Sequence, residues 1–162
     1  MKKQIGIAIL LLLGLSAGTF AGETSLAGFA TYWNGSLPNT DDTIDGVGGG
    51  VKLRQTFLGF FSADVRASYI DFTDVNTTVI PLEATVMVGI PFFIEPYAGL
   101  GVSYFFFDTD QSWIDNGAGV YGVLGAQLNL WVVGAFAEVR YNESEGDLMD
   151  GISANLGLMV KW

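Results

Sequence analysis

The sequence has no cysteine and no histidine among its 162 residues. These two absences exclude cysteine and histidine zinc sites, thiol nucleophiles and every catalytic scheme that depends on an imidazole base. A disulfide framework is excluded for the same reason. We therefore expect no cofactor and no enzymatic activity.

Basic residues are also scarce. Seven Lys and Arg stand against seventeen Asp and Glu, which gives a formal net charge of -10. A nucleic-acid partner requires a basic surface to neutralise phosphates, so binding to nucleic acid is not expected. The length fits one domain, and half of the residues are hydrophobic.

A long hydrophobic run occurs only at the N-terminus. Lys2 and Lys3 precede an apolar stretch at residues 5–15, and small residues at 16–21 end in a plausible cleavage site. The apolar stretch is shorter than the roughly 18–20 residues of a membrane-spanning helix. We predict that residues 1–21 are a signal peptide for export through the Sec route and that residues 22–162 form the mature domain. Without a cysteine, the lipoprotein type of signal is excluded.

In the mature chain, apolar residues recur at every second position within segments of about ten residues. This alternation is typical of β-strands with one apolar and one polar face. Seven segments have a clear phase, at residues 47–57, 61–69, 80–88, 94–104, 118–128, 133–141 and 152–162. An eighth strand is expected around residues 26–33, but its pattern does not assign its facing.

The connections alternate in length. Those around residues 34–44, 72–77, 108–116 and 142–150 are long and polar, and those around 58–60, 90–92 and 129–131 are short. This arrangement predicts an all-β fold, a closed eight-stranded antiparallel up-and-down barrel. Pro81 conflicts with it, because a closed barrel has no free edge for a proline. We expect a local bulge or a strand end there.

The charges indicate which face of the strands lies toward lipid and which toward the lumen. All five basic residues of the mature chain lie on polar strand faces together with four acids: Lys52, Arg54, Arg66, Arg140, Lys161, Asp64, Glu83, Glu95 and Glu138. Near-balance on one face predicts pairing inside a narrow lumen, with the apolar face toward lipid. The second hairpin places Arg54 opposite Asp64 and Lys52 opposite Arg66, and the next connection brings Arg66 near Glu83. We expect a lumen network of Lys52, Arg54, Asp64, Arg66, Glu83, Glu138 and Arg140.

Aromatic residues gather near the strand ends, as in the two interfacial girdles of membrane barrels. Near the long connections the expected band consists of Tyr32, Trp33, Tyr69, Phe72, Tyr104, Phe106 and Tyr141. Near the short ones it consists of Phe57, Phe60, Phe61, Phe92, Phe93, Trp131 and Trp162.

The other twelve acids of the mature chain, apart from Glu23, fall in or beside the long connections, with no Lys or Arg among them. They either simply solvate these loops or bind divalent cations that bridge to lipopolysaccharide. Asp108, Asp110 and Asp115 are weak metal candidates. Their segment lacks the sixth-position glycine and the twelfth-position glutamate of a calcium-binding loop.

Three segments carry a family resemblance: "PYAGLGVSYFF" at 96–106, "GAFAEVRYN" at 134–142 and the final "GLMVKW". With them, the mature chain resembles the small eight-stranded outer-membrane β-barrels of Gram-negative bacteria, the OmpX and Ail group and the membrane domain of OmpA. The resemblance implies a location in the outer membrane with the long loops outside. It also implies that Leu158, Val160 and Trp162 resemble the signal read by the barrel-assembly machinery. It does not imply one activity.

Four functions follow from these observations. The leading one is a non-enzymatic outer-membrane barrel that presents acidic loops in a structural, adhesion or surface-interaction role. The alternative is a narrow, porin-like channel, if Gly99, Gly101, Gly117 and Gly119 leave gaps in the lumen. A lipid-modifying enzyme is disfavoured by the lack of histidine. A soluble exported barrel would require the opposite facing.

Overall fold

The computed structural model describes residues 22–36, 43–73, 77–108, 116–144 and 149–162. They form eight strands: β1 (Gly22–Ser36), β2 (Thr43–Phe57), β3 (Phe61–Phe72), β4 (Thr77–Gly89), β5 (Ile94–Asp108), β6 (Gly117–Leu130), β7 (Val133–Ser144) and β8 (Gly151–Lys161). None of the residues described lies in a helix that is long and apolar enough to cross a membrane. The predicted signal peptide, residues 1–21, lies outside the described residues.

The eight strands pair in sequence order, each antiparallel to the next, and β8 pairs with β1. This closing ladder runs from Ser25 opposite Lys161 to Gly35 opposite Gly151. Beyond it, the backbones of Thr24 and Trp162 exchange two hydrogen bonds of 3.0 and 2.9 Å. The predicted closed up-and-down barrel is confirmed, and closure leaves no unpaired sheet edge.

Tight turns join the strands at one end of the barrel, which we call the short-turn end. They comprise residues 58–60, 90–93 and 131–132, as the pattern predicts to within a residue or two. Leu58 and Gly59 have φ angles of 54° and 75°, the two positive values that a type I′ hairpin turn requires. We call the opposite end, where the remaining connections lie, the long-loop end.

Side chains alternate between the lumen and the exterior along every strand, and in β2 to β8 the facing is the predicted one. Leu100, Leu124 and Leu158 are 71%, 69% and 72% exposed on the outside. Lys52 and Arg66 are only 2% exposed because they point inward. The facing of β1 is now assigned, since Phe29 is buried in the lumen and Leu26 is exposed outside.

The bulge or strand end predicted at Pro81 is wrong. Pro81 lies inside β4 and is buried in the lumen, and it pairs normally with Phe105 of β5. On the β3 side the ladder stops after Ala67 opposite Leu82 and resumes at Ile70 opposite Val79 in the same register. The chain thus tolerates the missing N–H by omitting two residue pairs without shifting the strands.

An apolar cluster fills the lumen toward the long-loop end. Its members are each at most 3% exposed: Trp33, Ile44, Ile70, Phe72, Val79, Phe105 and Met149. Trp33 meets Phe105 edge to face, with ring centroids 6.4 Å apart. Trp33 and Phe72 therefore lie inside the barrel, and their predicted place in the lipid-facing aromatic band is wrong.

Candidate functional site in the barrel lumen

The middle of the lumen holds a group of charged side chains that we call the central network. The structure places all seven predicted residues there, each at most 5% exposed: Lys52, Arg54, Asp64, Arg66, Glu83, Glu138 and Arg140. They come from β2, β3, β4 and β7, because alternation turns the polar face of each strand inward. Burial of so many charges requires that each is paired.

Contacts between neighbouring strands follow the register. Arg54 lies opposite Asp64, with Nη2 and Oδ2 3.3 Å apart, and Lys52 lies opposite Arg66. Arg66 lies opposite Glu83, with Nε and Oε2 4.0 Å apart, and its Nη2 is 3.2 Å from Asp64 Oδ2. These are the neighbours that the hairpin argument predicts.

Other contacts cross the lumen between strands that are not neighbours. Lys52 Nζ on β2 lies 3.3 Å from Glu138 Oε2 on β7, and Arg66 on β3 also donates to Glu138. Arg140 on β7 donates hydrogen bonds from both terminal nitrogens to the carboxylate of Glu83 on β4. Arg66 thereby contacts three carboxylates and stands at the centre of the network.

Four neutral side chains, which are not among the predicted site residues, complete the network. Gln127 accepts from Arg54 Nη1 at 2.8 Å, and the hydroxyl of Tyr97 donates to Glu138 at 2.8 Å. The other two are Thr85 and Tyr121: Thr85 donates to Asp64 at 2.7 Å and shares a 2.6 Å hydrogen bond with Tyr121. All four lie on polar strand faces, which is the signal that identifies them.

The charges of the lumen are balanced among the residues that the structure describes. The central network has four cations and three carboxylates, and Gln127 links it to a fourth carboxylate by donating to Glu95 at 3.1 Å. Nearer the short-turn end, Lys161 pairs with Glu23 at 2.9 Å. Within the described residues five cations therefore face five carboxylates, although the side chain of Glu23 is 48% exposed.

Each cation of the central network lies over an aromatic ring, and each ring occupies the space beside a lumen glycine. The four stacks are Lys52 on Phe136 beside Gly157, Arg54 on Tyr97 beside Gly125, Arg66 on Phe29 beside Gly50, and Arg140 on Tyr121 beside Gly101. Lys52 Nζ is 3.3 Å from its ring centroid, the shortest of the four distances. Cation–π attraction and ring packing thus support the same side chains that the carboxylates bind.

The glycines proposed to leave gaps in the lumen do not do so where the structure describes their surroundings. A Cβ at Gly101 would lie 2.3 Å from Tyr121 Cζ, and one at Gly99 would lie 2.5 Å from Met87 Cγ. One at Gly119 would lie 2.8 Å from Ser103 Oγ. Neighbouring side chains already occupy these spaces, so the glycines make room for filling the lumen.

The remaining predicted residues lie elsewhere. Leu158 and Val160 face outward, and Trp162 follows β8 at the short-turn end. Asp108 ends β5 at the long-loop end, whereas Asp110 and Asp115 lie outside the described residues. Over the described ranges, no three acidic side chains come together as a metal-binding group.

The cations and carboxylates of the central network neutralise one another. Every charged group of the central network is occupied by an opposite charge, an amide, a hydroxyl or a ring, and the side chains join strands across the lumen. Such an arrangement holds the barrel wall in register and fills its interior.

Comparison with known proteins gives structural likeness without sequence likeness. No protein-family model matches the chain, and no curated protein matches its sequence. Among solved structures, Neisserial surface protein A has a TM-score of 0.68 at 13% identity and covers 85% of this chain and 95% of its own. The outer membrane protein OprG from Pseudomonas aeruginosa has a TM-score of 0.66 at 17% identity, covering 90% of this chain and 98% of its own.

The attachment invasion locus protein Ail of Yersinia pestis is also similar. Its TM-score is 0.56 at 14% identity, and the likeness covers 87% of this chain and 99% of Ail. These three proteins match the architecture that the strand pattern and its charge distribution predict. The chain therefore has the fold of the small eight-stranded outer-membrane β-barrels.

Proposed function

We propose that the protein is a non-enzymatic outer-membrane barrel with a sealed lumen, and that its function lies in the acidic surface it presents outside the cell. In this proposal residues 1–21 direct export through the Sec route and the barrel-assembly machinery inserts the mature chain. One observation carries the proposal: the barrel is apolar outside, whereas its charges are paired inside.

The exterior supports a lipid environment. Large apolar side chains cover the middle of the wall, and all five basic residues of the described chain turn inward. A basic residue that faced lipid at mid-membrane would cost about 2–4 kcal/mol. An apolar band of this extent on a soluble barrel would be an exposed patch far larger than monomeric proteins tolerate.

The acidic surface supports an interaction with cations. Five carboxylates lie at the long-loop ends of the strands: Asp45, Asp71, Asp108, Glu143 and Asp150. Seven more occur in the adjoining loop sequences, and the mature chain has no Lys or Arg there to balance them. Divalent cations that bridge to lipopolysaccharide phosphates, or a cationic partner surface, fit this field.

The Ail structure provides a useful contrast. Ail has been crystallised in complex with the heparin analogue sucrose octasulfate, a polyanion. Twelve carboxylates without a base would repel such a ligand from this protein. If the protein has an attachment role, its partner is therefore positively charged or bridged by metal ions.

Fractionation of a Gram-negative host that expresses the full chain tests the location. We expect the protein in the outer-membrane fraction, with heat-modifiable mobility on gels and a mature N-terminus at Gly22 by mass spectrometry. Recovery of a freely soluble periplasmic protein would refute the proposal.

The assembly role of Leu158, Val160 and Trp162 has its own test. Trp162→Ala keeps the backbone hydrogen bonds to Thr24 but removes the terminal ring. We expect less folded protein in the outer membrane at unchanged synthesis. Trp131→Ala, which removes another exposed ring at the short-turn end, serves as the matched control. Equal assembly of both variants would show that Trp162 has no signalling role.

A further inference from the structure

The short-turn end of the barrel opens into a cavity of about 690 Å³, which we call the vestibule. Leu58, Phe92 and Trp131 form its rim, one from each short turn, and Trp131 is 95% exposed. Glu95, Gln127 and Asn129 line it more deeply, and Glu23 and Lys161 line its side at the closing strands. It adjoins the central network through Gln127 and has an entrance to solvent.

Glu95 differs from the other carboxylates of the lumen. Asp64, Glu83, Glu138 and Glu23 each have a Lys or Arg within 4.0 Å. Within the described part of the chain, Glu95 has none, and its direct partners are the uncharged side-chain amides of Gln127 and Asn129. The vestibule therefore carries two carboxylates and one ammonium group, an excess of one negative charge.

Among the described residues, one oxygen of Glu95 accepts two hydrogen bonds and the other accepts none. Both amides donate to Oε2 at 3.1 Å, which fixes the carboxylate in place. The other oxygen, Oε1, faces Gly89, where an added Cβ would lie only 2.6 Å away. Glu95 is therefore a fixed carboxylate in a cavity with an apolar rim, and a ligand can reach Oε1 only from the side away from Gly89.

This acceptor set discriminates between cations. Calcium takes six to eight oxygen ligands and magnesium an octahedral set, but the amide oxygens of Gln127 and Asn129 are already occupied by Arg54 and Lys161. An organic ammonium ion needs few acceptors, and its apolar part and positive charge both suit an aromatic rim.

We propose that the vestibule is a binding site for a small organic ammonium ion, with Glu95 Oε1 as its counter-ion and Phe92 and Trp131 as its apolar contacts. The site uses only the short-turn end, so it goes beyond the proposed surface function.

The experiment uses the folded mature protein in a maltoside detergent, because phosphocholine detergents carry a competing quaternary ammonium. The probe is phenethylammonium, and 2-phenylethanol is its neutral counterpart. Side-chain NH₂ signals of Gln127 and Asn129 in ¹⁵N NMR report directly on the groups that hold Glu95. We expect saturable shifts of both signals with phenethylammonium, weakened by salt, and none with the alcohol.

Two variants separate charge from shape. Glu95→Gln removes the charge and Gly89→Ala narrows the space at Oε1, and each should weaken binding by about tenfold or more. Glu143→Gln, which removes a carboxylate at the long-loop end, should leave binding unchanged. Heat-modifiable mobility confirms folding of each variant. No saturable shift in the wild-type protein, equal binding of the alcohol, or unchanged affinity in both vestibule variants would overturn the proposal.

Discussion

Two regions fill the same lumen by different physical means. In the central network, ion pairs, hydrogen bonds and cation–π contacts occupy the space, and Arg66 contacts three carboxylates. In the apolar cluster, about 13 Å closer to the long-loop end along the strands, side chains such as Trp33 and Phe105 pack without charge. Both regions exclude solvent, so each can close the lumen independently.

The two regions should differ in how much stability a single substitution removes. Removing one member of a buried ion network leaves its partners charged and unpaired, which costs more than the lost attraction itself. Trimming one apolar side chain removes contacts in proportion to the atoms lost. A single substitution in the central network should therefore cause a large loss of stability, and one in the apolar cluster a small loss.

The largest effect is expected from Arg66→Met. The change removes a cationic partner from the carboxylates of Asp64 and Glu138. It should therefore lower the free energy of unfolding by about 3–5 kcal/mol. Urea titration in lipid vesicles, followed by tryptophan fluorescence, measures the loss.

Adding Glu138→Gln to Arg66→Met should recover part of the stability, because one stranded charge is neutralised. Asp45→Asn at the exposed strand end is the control and should change stability by less than about 0.5 kcal/mol. An Arg66→Met loss no larger than that of Asp45→Asn would mean that the network is not a cooperative unit.

Gly101→Ala tests whether packing also constrains the charged region. The new methyl would meet the Tyr121 ring that supports Arg140, and overpacking of this kind costs about 1–3 kcal/mol. Gly28→Ala, where no atom lies within 4 Å of the added Cβ, should be nearly neutral. The same urea titration compares the two, and equal stabilities would contradict the stacked arrangement.

The smallest effect is expected from Ile70→Val in the apolar cluster. Loss of one buried methylene should cost about 0.5–1.5 kcal/mol. A loss of stability as large as that of Arg66→Met would contradict the expected difference between the two regions.

The sequence predicts the charged region better than the apolar one. In the middle of the barrel, polar and apolar positions alternate strictly, so the facing of Arg54 or Glu83 follows directly from period two. At the long-loop end the lumen face is itself apolar, so apolar character no longer identifies the lipid face. Their place near strand ends therefore predicts the lipid side for Trp33 and Phe72, although they lie inside. The pattern of β1 does not assign its facing for a similar reason, because the apolar Phe29 shares the lumen face with Ser25 and Thr31.

Within the central network, the register predicts only neighbours. Arg54 with Asp64 follows from one hairpin, but Arg140 with Glu83 joins β7 to β4 across the lumen. That contact depends on barrel closure and on the reach of a long side chain, which no local pattern encodes. The glycines beside the aromatic rings belong to the predictable kind, since each lies directly opposite its ring on the adjacent strand, as Gly50 does opposite Phe29 and Gly101 opposite Tyr121.

Planar-bilayer recording tests the central claim that the lumen is sealed by two independent regions. The wild-type protein, Arg66→Met and Phe105→Ala should each show the conductance of the bare bilayer, because at least one region remains intact. The combined Arg66→Met and Phe105→Ala variant should conduct. Channel steps from the wild-type protein, with folding confirmed by gel mobility, would contradict the sealed lumen and favour the porin-like alternative.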